Sequence, residues 1–143
     1  MKKKRVLFVT ERRTDYSRLK PLLAAARKSR KIQPLLVVSG AHLLKKIGNT
    51  KNVIKKDGFK IDAELPIFGE RDPDTGAAMA EAFGKAVIGM SGIIHKLSPD
   101  IVAAGFDLGG NLAAAIAAAH LNVHVAHIEG GGVSGSIDET LRH

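Results

Sequence analysis

Apolar residues fall along this chain in two alternating rhythms, one of short unbroken runs and one of residues three or four apart. Residues 5–10 carry Val6-Leu-Phe-Val9, a β-branched and aromatic run with the composition of a buried strand. A polar turn from Glu11 to Tyr16 follows. A helix is predicted from about Ser17, where Leu19, Leu22, Leu23 and Ala26 recur at helical spacing. Pro21 falls near its first turn, where a missing N–H is tolerated. Residues 32–38 read as a second strand closed by Ser39-Gly40, and residues 60–65 as a third, with Ile61, Ala63 and Leu65 on one face. Residues 75–97 form the clearest helix, with Met79, Phe83, Ala86, Met90, Ile93 and Leu97 in a single apolar stripe. Ser98-Pro99-Asp100 stops it. A fourth strand over 101–104, an alanine-rich helix over 112–119 and a fifth strand over 123–128 complete the series.

Strand and helix alternate throughout, which implies parallel strands joined by helical crossovers, a doubly wound α/β sheet with helices on both faces. Ligands of such sheets bind beyond the carboxyl ends of the strands. Function is therefore expected in the loops over 11–16, 39–42, 105–111 and 129–139.

Composition narrows this picture. The 143 residues suit one domain with a real core, and 45% hydrophobic with 25% charged residues is ordinary globular usage. Without cysteine, neither a disulfide framework nor a thiolate metal site can form. No unbroken apolar run approaches the ~20 residues of a membrane helix, and the basic start lacks the uncharged stretch of a signal peptide. A soluble, cytoplasmic protein is expected.

The net charge of +8 is lopsided: residues 1–60 hold 18 of the 22 Lys and Arg but 3 of the 14 acids. A basic half attracts polyanions or a small phosphorylated ligand. One Tyr, five Phe and no Trp provide little base stacking, which argues against a nucleic-acid partner.

The loops carry the candidate chemistry. Arg12, Arg13 and Asp15 lie between a strand and a helix, where an arginine fork and a helix N-terminus suit phosphate, while Asp15 equally suits a helix cap. Neither Gly-x-Gly-x-x-Gly nor Gly-Lys-Ser/Thr occurs, so a dinucleotide fingerprint or an ATP loop is not supported. Gly105-Phe-Asp-Leu-Gly-Gly-Asn111 opens the last helix, with Asp107 its one acid. The stretch from His127 to Glu139 gathers Glu129, Asp138 and Glu139 among glycines. Paired carboxylates in a cleft are the usual equipment of general acid–base chemistry, although Ser136 or Asp138 could instead cap a following helix. His124 and His127, three apart on a strand, point to opposite faces, which argues against a joint metal site.

Several motifs occur in a telling order: Arg13-Thr-Asp-Tyr-Ser-Arg-Leu-Lys-Pro21, Ser39-Gly-Ala-His-Leu43, Gly48-Asn-Thr50, Ala126-His-Ile-Glu-Gly-Gly131, Val133-Ser-Gly-Ser-Ile-Asp-Glu139 and Leu141-Arg-His143. Together they resemble the hydrolysing UDP-N-acetylglucosamine 2-epimerases. The resemblance implies a glycosyltransferase-B-like fold of two Rossmann-like halves, of which residues 1–143 would be the N-terminal one with the second domain absent. It implies conversion of UDP-N-acetylglucosamine and water to UDP and N-acetylmannosamine, by elimination and then hydration, without metal or other cofactor. Carried across, Arg13 and Asp15 match the family's arginine-x-aspartate loop, Glu129 its histidine-x-glutamate-glycine-glycine motif, and Asp138 and Glu139 the acidic pair ahead of its arginine-histidine, here Arg142 and His143. The resemblance thus implies Asp107, Glu129, Asp138 and Glu139 as catalytic candidates. Arg13, Asp15, His42, Arg142 and His143 become candidate substrate contacts. Where many members have Gly-Asp-Arg after the fourth strand, this chain has Gly105-Phe-Asp107, which loses the arginine and points to a changed substrate. The implied partners are a UDP-sugar and either a second domain or another copy of the chain, with no membrane. The competing expectation is a sugar-nucleotide-binding module that does no chemistry.

Overall fold

The apolar run behind the basic N-terminus forms the central strand of a five-stranded sheet. In the computed structural model, which describes residues 2–106, 109–133 and 135, β1 (Lys4–Thr10), β2 (Ile32–Ser39), β3 (Ala63–Leu65), β4 (Ile101–Gly105) and β5 (His124–Ile128) stand in the order β3-β2-β1-β4-β5. All neighbouring strands are parallel, with Leu7 level with Leu35 on one side and Val102 on the other. The helices are α1 (Arg13–Lys28), α2 (Lys51–Lys56), α3 (Gly76–Leu97) and α4 (Gly109–His120).

Side chains alternate across a strand, so each strand feeds two cores. Leu7, Val9, Leu35, Val37 and Val102 pack with α3 and α4. Val6, Phe8, Leu36, Val38 and Ala103 pack on the opposite face with Tyr16, Leu19 and Leu23 of α1 and Ile54 of α2. This is the doubly wound α/β sheet that the sequence pattern implies. Because the chain leaves β1 toward β2 and β3 and then returns to β4 and β5, its direction of winding reverses between β1 and β4.

Three elements differ from the sequence reading. Helix α1 begins at Arg13, not near Ser17, because Asp15 in its first turn reaches back to the Arg12 amide. Pro21 therefore lies inside the helix, on its exposed face, where it removes the amide that would bond the Ser17 carbonyl. Strand β3 is three residues long, because Asp62 takes over the ladder ahead of it: the Leu36 amide donates to the Asp62 carboxylate at 2.9 Å, and the Asp62 amide donates to the Leu36 carbonyl at 2.8 Å. In α3, Ala86 and Met90 of the expected stripe are fully buried and Phe83, Ile93 and Leu97 pack beside them, but Ala82 and Ile94 complete the buried line and Met79 is left exposed.

Helix α3 is also, by length and composition alone, long and apolar enough to cross a membrane, with a mean hydropathy of 1.3. Scanning for unbroken apolar runs misses this, because Glu81 and Lys85 interrupt a helix otherwise rich in Ala, Ile and Gly. One face of α3 packs on the sheet and α4.

Strand β4 ends at a glycine for a steric reason. A Cβ on Gly105 would lie 2.5 Å from the Ile128 carbonyl oxygen and 2.9 Å from its Cβ, too close for backbone that is already hydrogen-bonded into β5. Gly105→Ala is expected to destabilise the protein by about 1–3 kcal/mol. Urea unfolding of the two proteins checks this, and equal midpoints would contradict it.

Candidate functional site

The carboxyl end of β1 is fixed by a buried acid. Asp15, 2% exposed, accepts from the Thr10 hydroxyl at 3.0 Å, the Glu11 amide at 2.7 Å and the Arg12 amide at 2.8 Å. Thr10 has given its only proton to that carboxylate, so its oxygen accepts from Nε2 of His42 at 3.0 Å. Nδ1 of His42 then accepts from the Thr50 hydroxyl at 2.7 Å. Burial lowers the pKa of this imidazole, while the Asp15 charge and the Arg12 backbone pull it upward. The His42 amide adds a bond to the Glu11 carbonyl at 3.0 Å. His42, expected among the substrate contacts, is thus fully buried with both ring nitrogens engaged, and it joins the turns after β1 and β2. Asp15 likewise lies inside, as the partner of the turn amides, which is the capping alternative that its position in the sequence allowed.

A second buried acid joins β1 to β4. Glu11, 6% exposed, accepts from the Gly110 amide at 3.1 Å and from the Asn111 amide and side chain, each at 3.2 Å. Asn111 passes the connection on by accepting from the Gly105 amide at 3.1 Å. Burial raises the pKa of Glu11 against the hydrogen bonds from Asn111 and Gly110, and the nearby Asp15 charge raises it further. Two glycines make room: a Cβ on Gly110 would lie 2.7 Å from the Glu11 carboxyl carbon, and Gly40, at φ +56, packs against the Glu11 Cβ and carbonyl. The first turn of α4 stands where the winding reverses, the usual place for a ligand's phosphate. In this protein its amides already hold the chain's own carboxylate. Sequence reading passed over Glu11, although an acid directly after a central strand and a Gly-Gly-Asn helix start are the two halves of this contact.

Cations and an open carboxylate line the rim. Arg12 and Arg13 are exposed on the first turn of α1. Glu129, directly after β5 and at φ +63, pairs with Arg18 of α1 at 3.1 Å, both side chains being about half exposed. Exposed pairs of this kind contribute little stability, about 0–1 kcal/mol, so Glu129 remains open to a ligand. An apolar cleft of about 170 Å³ opens beside Arg12, between the end of β3 and the first turns of α3. Asp107, Asp138, Glu139, Arg142 and His143, also expected at the site, lie outside the described residues. Among the described residues no three His, Asp or Glu side chains gather as a metal-binding group.

The family model described as UDP-N-acetylglucosamine 2-epimerase matches residues 24–143. The chain is 37% identical, over 98% of its length and 37% of the relative's, to a hydrolysing UDP-N,N'-diacetylbacillosamine 2-epimerase of Legionella pneumophila. It is 31% identical to a UDP-N-acetylglucosamine 2-epimerase of Neisseria meningitidis, covering 98% of this chain and 36% of that protein. Among solved structures, one UDP-N-acetylglucosamine 2-epimerase superposes with a TM-score of 0.83 at 25% identity, over 99% of this chain and 38% of the other. The enzyme of Methanocaldococcus jannaschii in complex with UDP-GlcNAc and UDP superposes at 0.73 and 24% identity, over 99% of this chain and 37% of that one. The chain thus spans a little over a third of the length of the curated relatives it matches.

Both buried groups predict a pH dependence. A carboxyl whose pKa is raised by folding binds its proton more tightly in the native state, so its contribution is greatest in acid and falls as pH rises above about 4.5. Relative to Glu11→Gln, the wild type should lose stability over that rise, as read by urea unfolding at a series of pH values; a difference independent of pH would contradict this. A histidine whose pKa is lowered by folding works in the other sense, holding its contribution above about 6.5 and losing it as pH falls. His42→Ala should abolish that slope. It should also cost about 2–4 kcal/mol, from a cavity, the lost bond to the Thr10 oxygen and a Thr50 hydroxyl left without its acceptor.

Proposed function

The chain belongs to the UDP-N-acetylglucosamine 2-epimerase family, and we propose that it acts as the sugar-handling half of a hydrolysing UDP-2-acetamido-sugar epimerase. The observation that carries this reading is the 37% identity to a hydrolysing member over nearly the whole chain. A second Rossmann-like half, beyond the stretch of the relatives that this chain matches, is proposed to hold most of the UDP. The proposed substrates are UDP-N-acetylglucosamine or its diacetamido relative, after the relatives' names.

In the proposed reaction a base removes the proton at sugar C2 while the C1–oxygen bond to UDP breaks, leaving an unsaturated glycal. Water then adds, its oxygen to C1 and a proton to the opposite face of C2, so UDP and the C2-inverted sugar are released. This chemistry needs one group to take a proton and another to give one near C1 and C2, together with cations for the departing diphosphate. Glu129 is a candidate for the first task, with Asp107, Asp138 and Glu139. Arg13, Arg142 and His143 are proposed to contact the diphosphate or the sugar. The occupied first turn of α4 supports leaving the phosphates to arginines: the partial positive charge at that helix end already faces Glu11. Arg18, paired with Glu129 across the rim, stands close enough to share the task.

The reading is tested by calorimetry of the chain with UDP, free N-acetylglucosamine and the UDP-sugar. The UDP-sugar should bind more tightly than either fragment. Arg13→Ala should weaken it by about 10- to 100-fold, the loss of one charge-assisted hydrogen bond. Unchanged affinity in that variant would remove Arg13 from the site. Binding by this chain without turnover, when a family second half is supplied, would favour a non-catalytic module.

A further inference from the structure

We infer that the outer face of α3 is the surface on which two copies of this chain pair, helix against helix and antiparallel about Ile88. This face takes no part in the proposed sugar chemistry, so the inference stands apart from that reading.

The inner face of α3 packs into the core through Ala82, Ala86, Met90 and Ile94. The opposite face of a helix that meets only water is polar. Here its centre is Ile88, 77% exposed, the barest large apolar side chain in the described helices and strands. Gly84 and Gly92 flank it, four residues to either side. Interior glycines weaken a helix relative to alanine, so each calls for a reason. Gly89 has one, because a Cβ there would overlap Cδ1 of Leu65. At Gly84 and Gly92 a Cβ would meet nothing within 4 Å. A second helix backbone lying close along Ile88 supplies the missing reason.

The charges identify that second helix. Seven residues before Ile88 stands Glu81, and seven after it stands His95, with Lys96 beside it. All of these are exposed, and at 3.6 residues per turn Glu81, Gly84, Ile88, Gly92 and His95 share one narrow stripe. The stripe reads the same from either end except in the character of its outer residues. Two copies laid antiparallel about a two-fold axis at Ile88 set Gly84 against Gly92 and Glu81 against the His95–Lys96 end, twice over. Laid parallel, they would set Glu81 against Glu81. Such self-complementarity is what an isologous contact requires. Other occupants suit the face less well. A membrane would have to accept Glu81 and Lys85. A domain closing over the carboxyl ends of the strands would meet the turns there, whereas Ile88 lies midway along a 22-residue helix.

A single helix pair is a small interface, so sedimentation equilibrium should show monomer and dimer exchanging over roughly 1–100 µM. Ile88→Glu, at an exposed position, should leave the circular dichroism unchanged and weaken the dimer by about tenfold or more. Glu81→Lys should weaken it too, and adding His95→Glu and Lys96→Glu to that variant should restore it. Orientation is read by cross-linking, since the chain has no cysteine of its own. Ile88→Cys should form a disulfide between copies, as should Glu81→Cys mixed with His95→Cys, but not Glu81→Cys alone. A monomer at every concentration overturns the inference, as does a dimer indifferent to Ile88→Glu or one cross-linked through Glu81→Cys alone. If the chain stays monomeric and Ile88→Glu instead weakens its binding to a family second half or to phospholipid vesicles, the face belongs to that occupant and the inference falls.

Discussion

Two carboxyl groups four residues apart, Glu11 and Asp15, are buried at the end of β1 and satisfied by backbone and side-chain donors. A buried carboxylate without such donors would be strongly destabilising, so the segments that supply them are held close. Asp15 draws in its own turn and, through Thr10 and His42, the segment around Thr50. Glu11 draws in the start of α4, about a hundred residues away along the chain. The loops after β1, β2 and β4 therefore form one braced platform. Arg12, Arg13 and the Arg18–Glu129 pair stay exposed above these buried groups.

That platform bears on where a UDP-sugar is proposed to lie. Many doubly wound sheets hold phosphate on the helix that follows the reversal of winding. Here that helix end is filled by the chain's own acid, and the nearby positive charge is carried by exposed arginine forks at the start of α1. Phosphate held by side chains and by a second half, with the sugar laid over the sheet edge, is the arrangement that agrees with both facts.

Much of the fold was legible in the sequence because it depends on periodicity. The Val6–Val9 run, the helix stop at Ser98-Pro99 and the alternation of strand and helix led to the right architecture, and the ordered motifs led to the family. What escaped depends on contacts between distant segments. Nothing local marks Glu11 as buried, because its donors come from Gly110 and Asn111. His42 looks like a ligand contact until Thr10 and Thr50 are found on its two nitrogens. Asp62 reads as a strand residue, yet its side chain replaces a ladder bond and shortens β3. Asp15 was readable both ways, since a cap and a phosphate loop share the same residues at a helix start.

The central claim is that this chain contributes to epimerisation at C2 of a UDP-2-acetamido sugar. The most direct measurement supplies the chain with a family second half in deuterated water and follows the UDP-sugar by proton NMR. The account predicts release of UDP with a C2-inverted sugar carrying deuterium at C2, and loss of that exchange when Glu129 is replaced by Gln. UDP release with the original proton retained at C2, or recovery of the UDP-sugar unchanged, would contradict it.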